Sequence, residues 1–177
     1  MGGSGWWCAT AYRPELADAL AGARQEVFEA GTYVHGWDLL PVLRGMLAED
    51  LAGLIELGVD GAGGAIPGVP EDSIEHLAAG GQPRSIEEAL FWAQEDGTHS
   101  LIDIQAVAAE PQLFAVAPLG DAEVAALCGS ATPSPADVEA RIDDLMERIE
   151  QRWTALAITA YVDGAPTQIY FVGASGD

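Results

Sequence analysis

Leu156 to Val172 reads LAITAYVDGAPTQIYFV, and this stretch decides the fold class. Two runs rich in β-branched and aromatic residues, Leu156–Val162 and Gln168–Val172, flank Asp163-Gly164-Ala165-Pro166. Asp-Gly between apolar runs supplies the backbone that a tight antiparallel turn needs, so the segment is predicted to be a β-hairpin. The chain just before it changes period. Val138, Ile142, Leu145 and Ile149 recur every three or four residues, with Met146 and Trp153 beside them, which makes a buried helical stripe. Ser134-Pro135-Ala136-Asp137 opens that helix, with proline in the first turn where its missing N–H costs nothing, and the helix is expected to run to about Trp153. Asp137–Arg141 and Asp144–Arg148, each spaced i, i+4, would support its exposed side.

Working back from the hairpin, helices and strands alternate irregularly. HSLIDI (His99–Ile104) and FAVA (Phe114–Ala117, closed by Pro118) read as strands, and Ala122–Cys128 as a short helix. Ser85 and Glu88 form a capping box at the start of SIEEALFWAQ. WWCATAY (Trp6–Tyr12) reads as a buried strand. Pro14 then opens a helix to about Glu29, carrying Leu16, Leu20 and Val27 on one stripe and stopped by Gly31. A second helix is expected from Asp38, through Leu40, Leu43, Leu47, Leu51, Leu54 and Ile55. Seven of the thirteen residues in 58–70 are Gly or Pro, so that segment reads as a flexible loop; without a following Lys-Ser/Thr it is no phosphate-binding loop. The expectation is one α+β domain over residues 1–177. Its sheet would be antiparallel or mixed, of about five strands, with helices packed on one face or both. The first strand and the terminal hairpin would share that sheet.

Charge narrows the function classes. The chain of 177 residues carries 28 acidic side chains against 7 basic ones, all arginine, for a formal net charge of −21. Such a surface repels nucleic acid and anionic lipid, which need positive patches, and draws in a basic protein partner. The hydrophobic fraction of 49% is ample for a core, and no apolar run is long enough to span a bilayer. The start of the chain lacks the layout of a signal peptide. Cys8 and Cys128, far apart in sequence, suit two buried thiols in a reducing compartment. A cytoplasmic protein is the expectation.

Searching for chemistry turns up little. His35, His76 and His99 stand singly, without metal-ligand spacing, and no calcium-loop pattern is present. No cofactor motif and no nucleophile elbow occur, so no catalytic residue is assigned and the reading leans away from an enzyme. His99 and Asp103 would fall on one face of the HSLIDI strand, but four residues of strand span about 13 Å, too far for a direct hydrogen bond. Asp103, a carboxylate in an apolar strand, must be solvated, paired with arginine or functional, and arginine pairing is the first expectation. Adjacent Trp6 and Trp7 should point to opposite faces of their strand, and the one not covered by helices becomes a contact candidate.

Ser85–Asp96 leading into GTHSLIDI (Gly97–Ile104), FAVAPL (Phe114–Leu119), the capped helix at Ser134 and AYVDGAPTQIYFVG (Ala160–Gly173) together form a pattern. It resembles a group of small uncharacterised bacterial proteins with a similar Gly-Thr-x-Ser strand closing on Asp-Ile and a similar closing hairpin. The resemblance covers about half the chain and implies a shared fold without an assigned activity.

The functional expectation is therefore an acidic protein-interaction module of the immunity, antitoxin or inhibitor type that binds a basic partner. Glu95, Asp96, His99, Asp103 and Trp7 are its candidate partner-binding residues. The alternative is a small enzyme or ligand-binding domain with a carboxylate-lined site. A nucleic-acid mimic ranks third, because the acids are scattered over helices rather than spaced like phosphates.

Overall fold

The computed structural model describes residues 4–34, 70, 72, 73, 76, 81–93 and 97–176. The helix expected from Asp38 and most of the 58–70 loop lie outside the described residues. The chain divides into two compact units, Met1–Val34 with Glu95–Asp177, and His35–Gln94.

The first unit is built on a five-stranded mixed sheet with helices packed on it. Its strands are β1 (Gly5–Ala11), β2 (Ala106–Val107), β3 (Ala115–Pro118), β4 (Thr154–Val162) and β5 (Ala165–Ala174), in the order β1-β5-β4-β3-β2. β4 and β5 form the hairpin expected from the sequence. Asp163 (φ 52°) and Gly164 (φ 78°) both take positive φ, as the primed turn of a two-residue hairpin requires. β1 pairs antiparallel with β5, so the N-terminal strand does share the sheet with the hairpin. β2 and β3 run parallel to β4. β5 is thus the antiparallel member among these five strands.

Both faces of the sheet are buried, over separate cores. The first core joins Trp6, Ala155, Ala157, Ile169 and Phe171 to α1 (Leu16–Ala30) through Ala19, Leu20 and Ala23, with Leu101 and Ile104 completing it. Gly31 (φ 64°) ends α1 with its N–H bonded back to Phe28, as its place in the sequence implies. The second core packs Leu156, Ile158, Tyr170 and Val172 against three short helices. Of these, α3 (Asp121–Cys128) supplies Val124, α4 (Pro135–Glu139) supplies Val138, and α5 (Ile142–Glu147) supplies Ile142 and Leu145. Helix α2 (Ile86–Trp92) belongs to the second unit.

Four local expectations are corrected. The helix predicted from Ser134 to Trp153 is two helices, α4 and α5, broken at Ala140–Arg141. The stripe Val138-Ile142-Leu145-Ile149 survives the break because each piece still turns its apolar side to the sheet. Its expected i, i+4 ion pairs are replaced: Arg141 bonds Asp144 at 3.1 Å and Arg148 approaches Glu123 at 4.0 Å. Trp153 is not helical; it sits at φ 54° directly before β4. Finally, His99–Ile104 is not a strand. Leu101–Asp103 forms a single 3₁₀ turn capped by Ser100, whose Oγ accepts the Ile102 N–H at 3.2 Å.

Candidate functional site

β1 delivers the first candidate to the surface. Period-2 alternation buries Trp6, and leaves Trp7 48% exposed on the opposite face, as expected for neighbours on a strand. Trp7 lies on the second-core side, where α4 packs on β4 and α5 on β5, with Met146 of α5 close to Gly5 of β1. Its indole stacks on Tyr170 of β5 (centroids 6.2 Å apart, planes 23° apart). The Tyr170 hydroxyl donates to Glu139 Oε1 of α4 at 2.8 Å, with Gln168 Oε1 a longer alternative at 3.3 Å. Burial first, then this carboxylate, pushes the Tyr170 phenol up to about 12. Trp7 is therefore coupled through one ring to a helical layer that is densely acidic. Asp121, Glu123, Asp137, Glu139, Asp143, Asp144 and Glu147 are all exposed on α3, α4 and α5.

On the other face of β1, Thr10 is buried and its Oγ1 donates to Glu26 Oε2 of α1 at 3.1 Å. Glu26 itself is exposed. Cys8, partly buried beside them, has its thiol pushed up to about 12 by desolvation and secondarily by Glu26. Cys128 is raised too, chiefly by burial. Neither thiol forms a disulfide. Both are poor nucleophiles, because the thiolate is the reactive form.

Asp103 and His99 occupy a different place, at the end of the sheet where β3 and β4 begin. Asp103 is buried, and its partners are hydroxyls and a backbone amide instead of the expected arginine. Oδ1 accepts the Thr98 N–H at 2.7 Å and the Thr98 hydroxyl at 2.8 Å. Oδ2 accepts the Ser175 hydroxyl at 2.6 Å, and Ser175 Oγ in turn accepts Trp6 Nε1–H at 3.0 Å. Ser100 completes the chain at 2.8 Å from the Thr98 hydroxyl. Each donor in this network has an acceptor, which is what makes a buried carboxylate tolerable.

Backbone strain collects around the same network. His99 (φ 51°), Phe114 (φ 59°) and Trp153 (φ 54°) all take the left-handed region, which is costly for residues with a Cβ. The Phe114 and Trp153 rings stack, 5.5 Å apart. Phe114 N–H donates to the Trp153 carbonyl at 2.6 Å, and the Phe114 carbonyl accepts from Gln105 N–H at 2.7 Å. Asp103 is buried and both its oxygens are engaged, so the network ties the 97–103 turn to Ser175 and Trp6. Glu95 and Asp96 lie outside the described residues.

A cleft of about 180 Å³ opens at the opposite end of the sheet. Tyr12, Arg13, Pro118, Asp121, Thr159 and Tyr161 are among the residues lining it. One carboxylate, Asp121, contributes among the described residues, so this is not the carboxylate-lined site considered from sequence, and neither His99 nor Asp103 reaches it. Arg13 reaches back along α1 and donates to the Asp18 carbonyl at 3.1 Å.

In the second unit, Ser85 Oγ accepts the Glu88 N–H at 3.1 Å, one half of the expected capping box. The other half is diverted. The Glu88 carboxylate, buried, accepts from the Arg84 backbone N–H and from its guanidinium at 2.9 Å, while Asp72 takes the outer side of the same guanidinium at 2.9 Å. Burial pushes Glu88 up, but the hydrogen bonds from Arg84 and Ser73 outweigh it and hold the carboxyl below its ordinary value.

Among the described residues no group of three or more His, Cys, Asp or Glu could hold a metal ion, and no helix is long and apolar enough to cross a membrane. No protein-family profile, curated protein or solved structure matches the chain.

Proposed function

We propose that this chain is a protein-interaction module that binds a basic partner protein, in the manner of an immunity protein, antitoxin or inhibitor. The observation that carries the reading is the Trp7–Tyr170–Glu139 contact, which puts a half-exposed indole beside an acidic helical layer. Arginine and lysine are the side chains such a surface favours. A guanidinium can stack on Trp7 while neighbouring carboxylates neutralise it, and the long-range field of a chain with net charge −21 speeds the encounter. Arg84, Arg141 and Arg148 already face carboxylates of this chain, and −21 is the charge left after all 7 basic residues are counted.

Affinity capture from the source cell, at about 50 mM and 500 mM salt on either side of strong screening, tests the reading. A basic protein should be retained at low salt, released at high salt, and weakened by Trp7→Ala. A dominant partner that is acidic, or one held equally at both salts and by the Trp7→Ala variant, would overturn it.

A further inference from the structure

We infer that the partner segment binds in extended form along the outer edge of β1, as an added strand whose basic side chains reach Glu26 on one face and lie against the Trp7 ring on the other. This inference rests on the basic-partner reading above and specifies how that partner is held.

The edge is defined by hydrogen-bond parity. Ser175 N–H donates to the Ser4 carbonyl at 3.1 Å and Tyr12 N–H donates to the Thr167 carbonyl at 2.9 Å, at the two ends of the β1–β5 register. In an antiparallel ladder the residues that exchange hydrogen bonds alternate, so Trp6, Cys8 and Thr10 point their backbone groups at β5. Gly5, Trp7, Ala9 and Ala11 point theirs the other way. Among the described residues no strand lies on that side. Gly5, Trp7, Ala9 and Ala11 are all exposed, whereas Trp6 and Thr10 are buried.

Edge strands are usually blunted by shortness, charge, proline or a bulge. β2, at the opposite edge, is two residues long. β1 has none of these protections. It is seven residues in unbroken register, GWWCATA, without a charge or a proline in a chain holding 35 Asp, Glu, Lys and Arg residues (28 and 7). A second copy of this chain is a poor occupant, because two bodies of charge −21 repel. A basic strand is a good one. Side chains of an added strand alternate between faces. On one face they meet the half-exposed Trp7 ring; on the other they meet Glu26, which is anchored by Thr10. Main-chain pairing would supply affinity, and Glu26 with the Trp7 ring the choice of partner.

The test uses the full chain and a synthetic peptide of repeating Lys-Lys-Val-Val, which places lysine on both faces of a strand, with a version N-methylated at alternate backbone nitrogens as control. Hydrogen exchange followed by NMR should show Trp7, Ala9 and Ala11 amides exchanging fast in the free protein and slowing at least tenfold with the peptide bound. Trp6, Cys8 and Thr10 amides should be slow throughout. The N-methylated peptide, and the Ala9→Pro variant, should each bind at least tenfold more weakly. If both peptides bind equally and the Trp7, Ala9 and Ala11 amides stay fast, strand addition is wrong while the basic-partner reading stands. If a Glu-Glu-Val-Val peptide protects those amides as well as the Lys-Lys-Val-Val peptide does, the edge is used but the choice of a basic occupant is wrong.

Discussion

Ser175 Oγ donates a 2.6 Å hydrogen bond to Asp103 Oδ2, joining the end of the chain to a turn 72 residues earlier. The same hydroxyl accepts from Trp6 Nε1, so the two termini and the 97–103 turn meet at one buried carboxylate. Asp103→Ala removes the acceptor of three hydrogen bonds and strands their donors, at an expected cost of about 3 kcal/mol. Ser175→Ala should cost about 1.5 kcal/mol. Chemical denaturation measures both, and the double variant should lose less than the sum because the two residues share a bond.

Glycines separate packing from backbone strain. A Cβ on Gly173 would lie 2.2 Å from the Trp6 ring, and one on Gly176 the same distance from the Trp153 ring. Gly173→Ala and Gly176→Ala should each lose about 2 kcal/mol by overpacking. Gly164 has nothing within 4 Å of such a Cβ, so Gly164→Ala should lose only the positive-φ cost, about 1 kcal/mol. Thermal unfolding should show the first two losing more than Gly164→Ala.

The Cys8 thiol, raised to about 12, should resist a thiol reagent at pH 8 in the folded protein and react at an ordinary rate in denaturant. The folded pKa lies above the unfolded one, so the associated stability is complete below about pH 9 and is lost as pH rises toward 12. Tyr170, raised from 10.0 to about 12, contributes with the same sign over the upper part of that window. Unfolding monitored from pH 8 to 12 should therefore show declining stability, and Tyr170→Phe should flatten the decline.

Glu88 acts in the opposite sense. Its folded carboxyl sits below the ordinary 4.5, so its contribution is complete above that value and disappears as pH falls through the folded pKa. Amide protection in α2, relative to the intrinsic exchange rate at each pH, should fall in acid, and Glu88→Gln should show the lower protection already at pH 7.

Much of the fold was legible because it is encoded locally. Asp163-Gly164 announces its turn, Gly31 its helix end and Ser134 its cap, since each residue acts on backbone within a few positions of itself. The alternation of Trp6 and Trp7 was equally readable. HSLIDI misled because its apolar residues fit a strand, while the polar ones, Ser100 and Asp103, bond back to nearby amides and fold the segment into a turn. Thr98 and Ser100 beside an aspartate were the available signal. Trp153 misled in the same way: it matched the helical stripe, but the pairing of its backbone with Phe114 and Ala174 places it in the sheet's first row.

By itself the sequence determined the α+β class, the hairpin, the faces of β1 and the acidity of the surface, because these follow from periodicity, turn chemistry and charge. Only the tertiary structure decided where the acids and aromatics meet. Tyr170 stacks on Trp7, 163 residues away, and bonds Glu139, 31 residues away, and Ser175 closes on Asp103 across 72. Contacts that distant depend on strand order and on which helix lands on which face, and no local pattern carries that information.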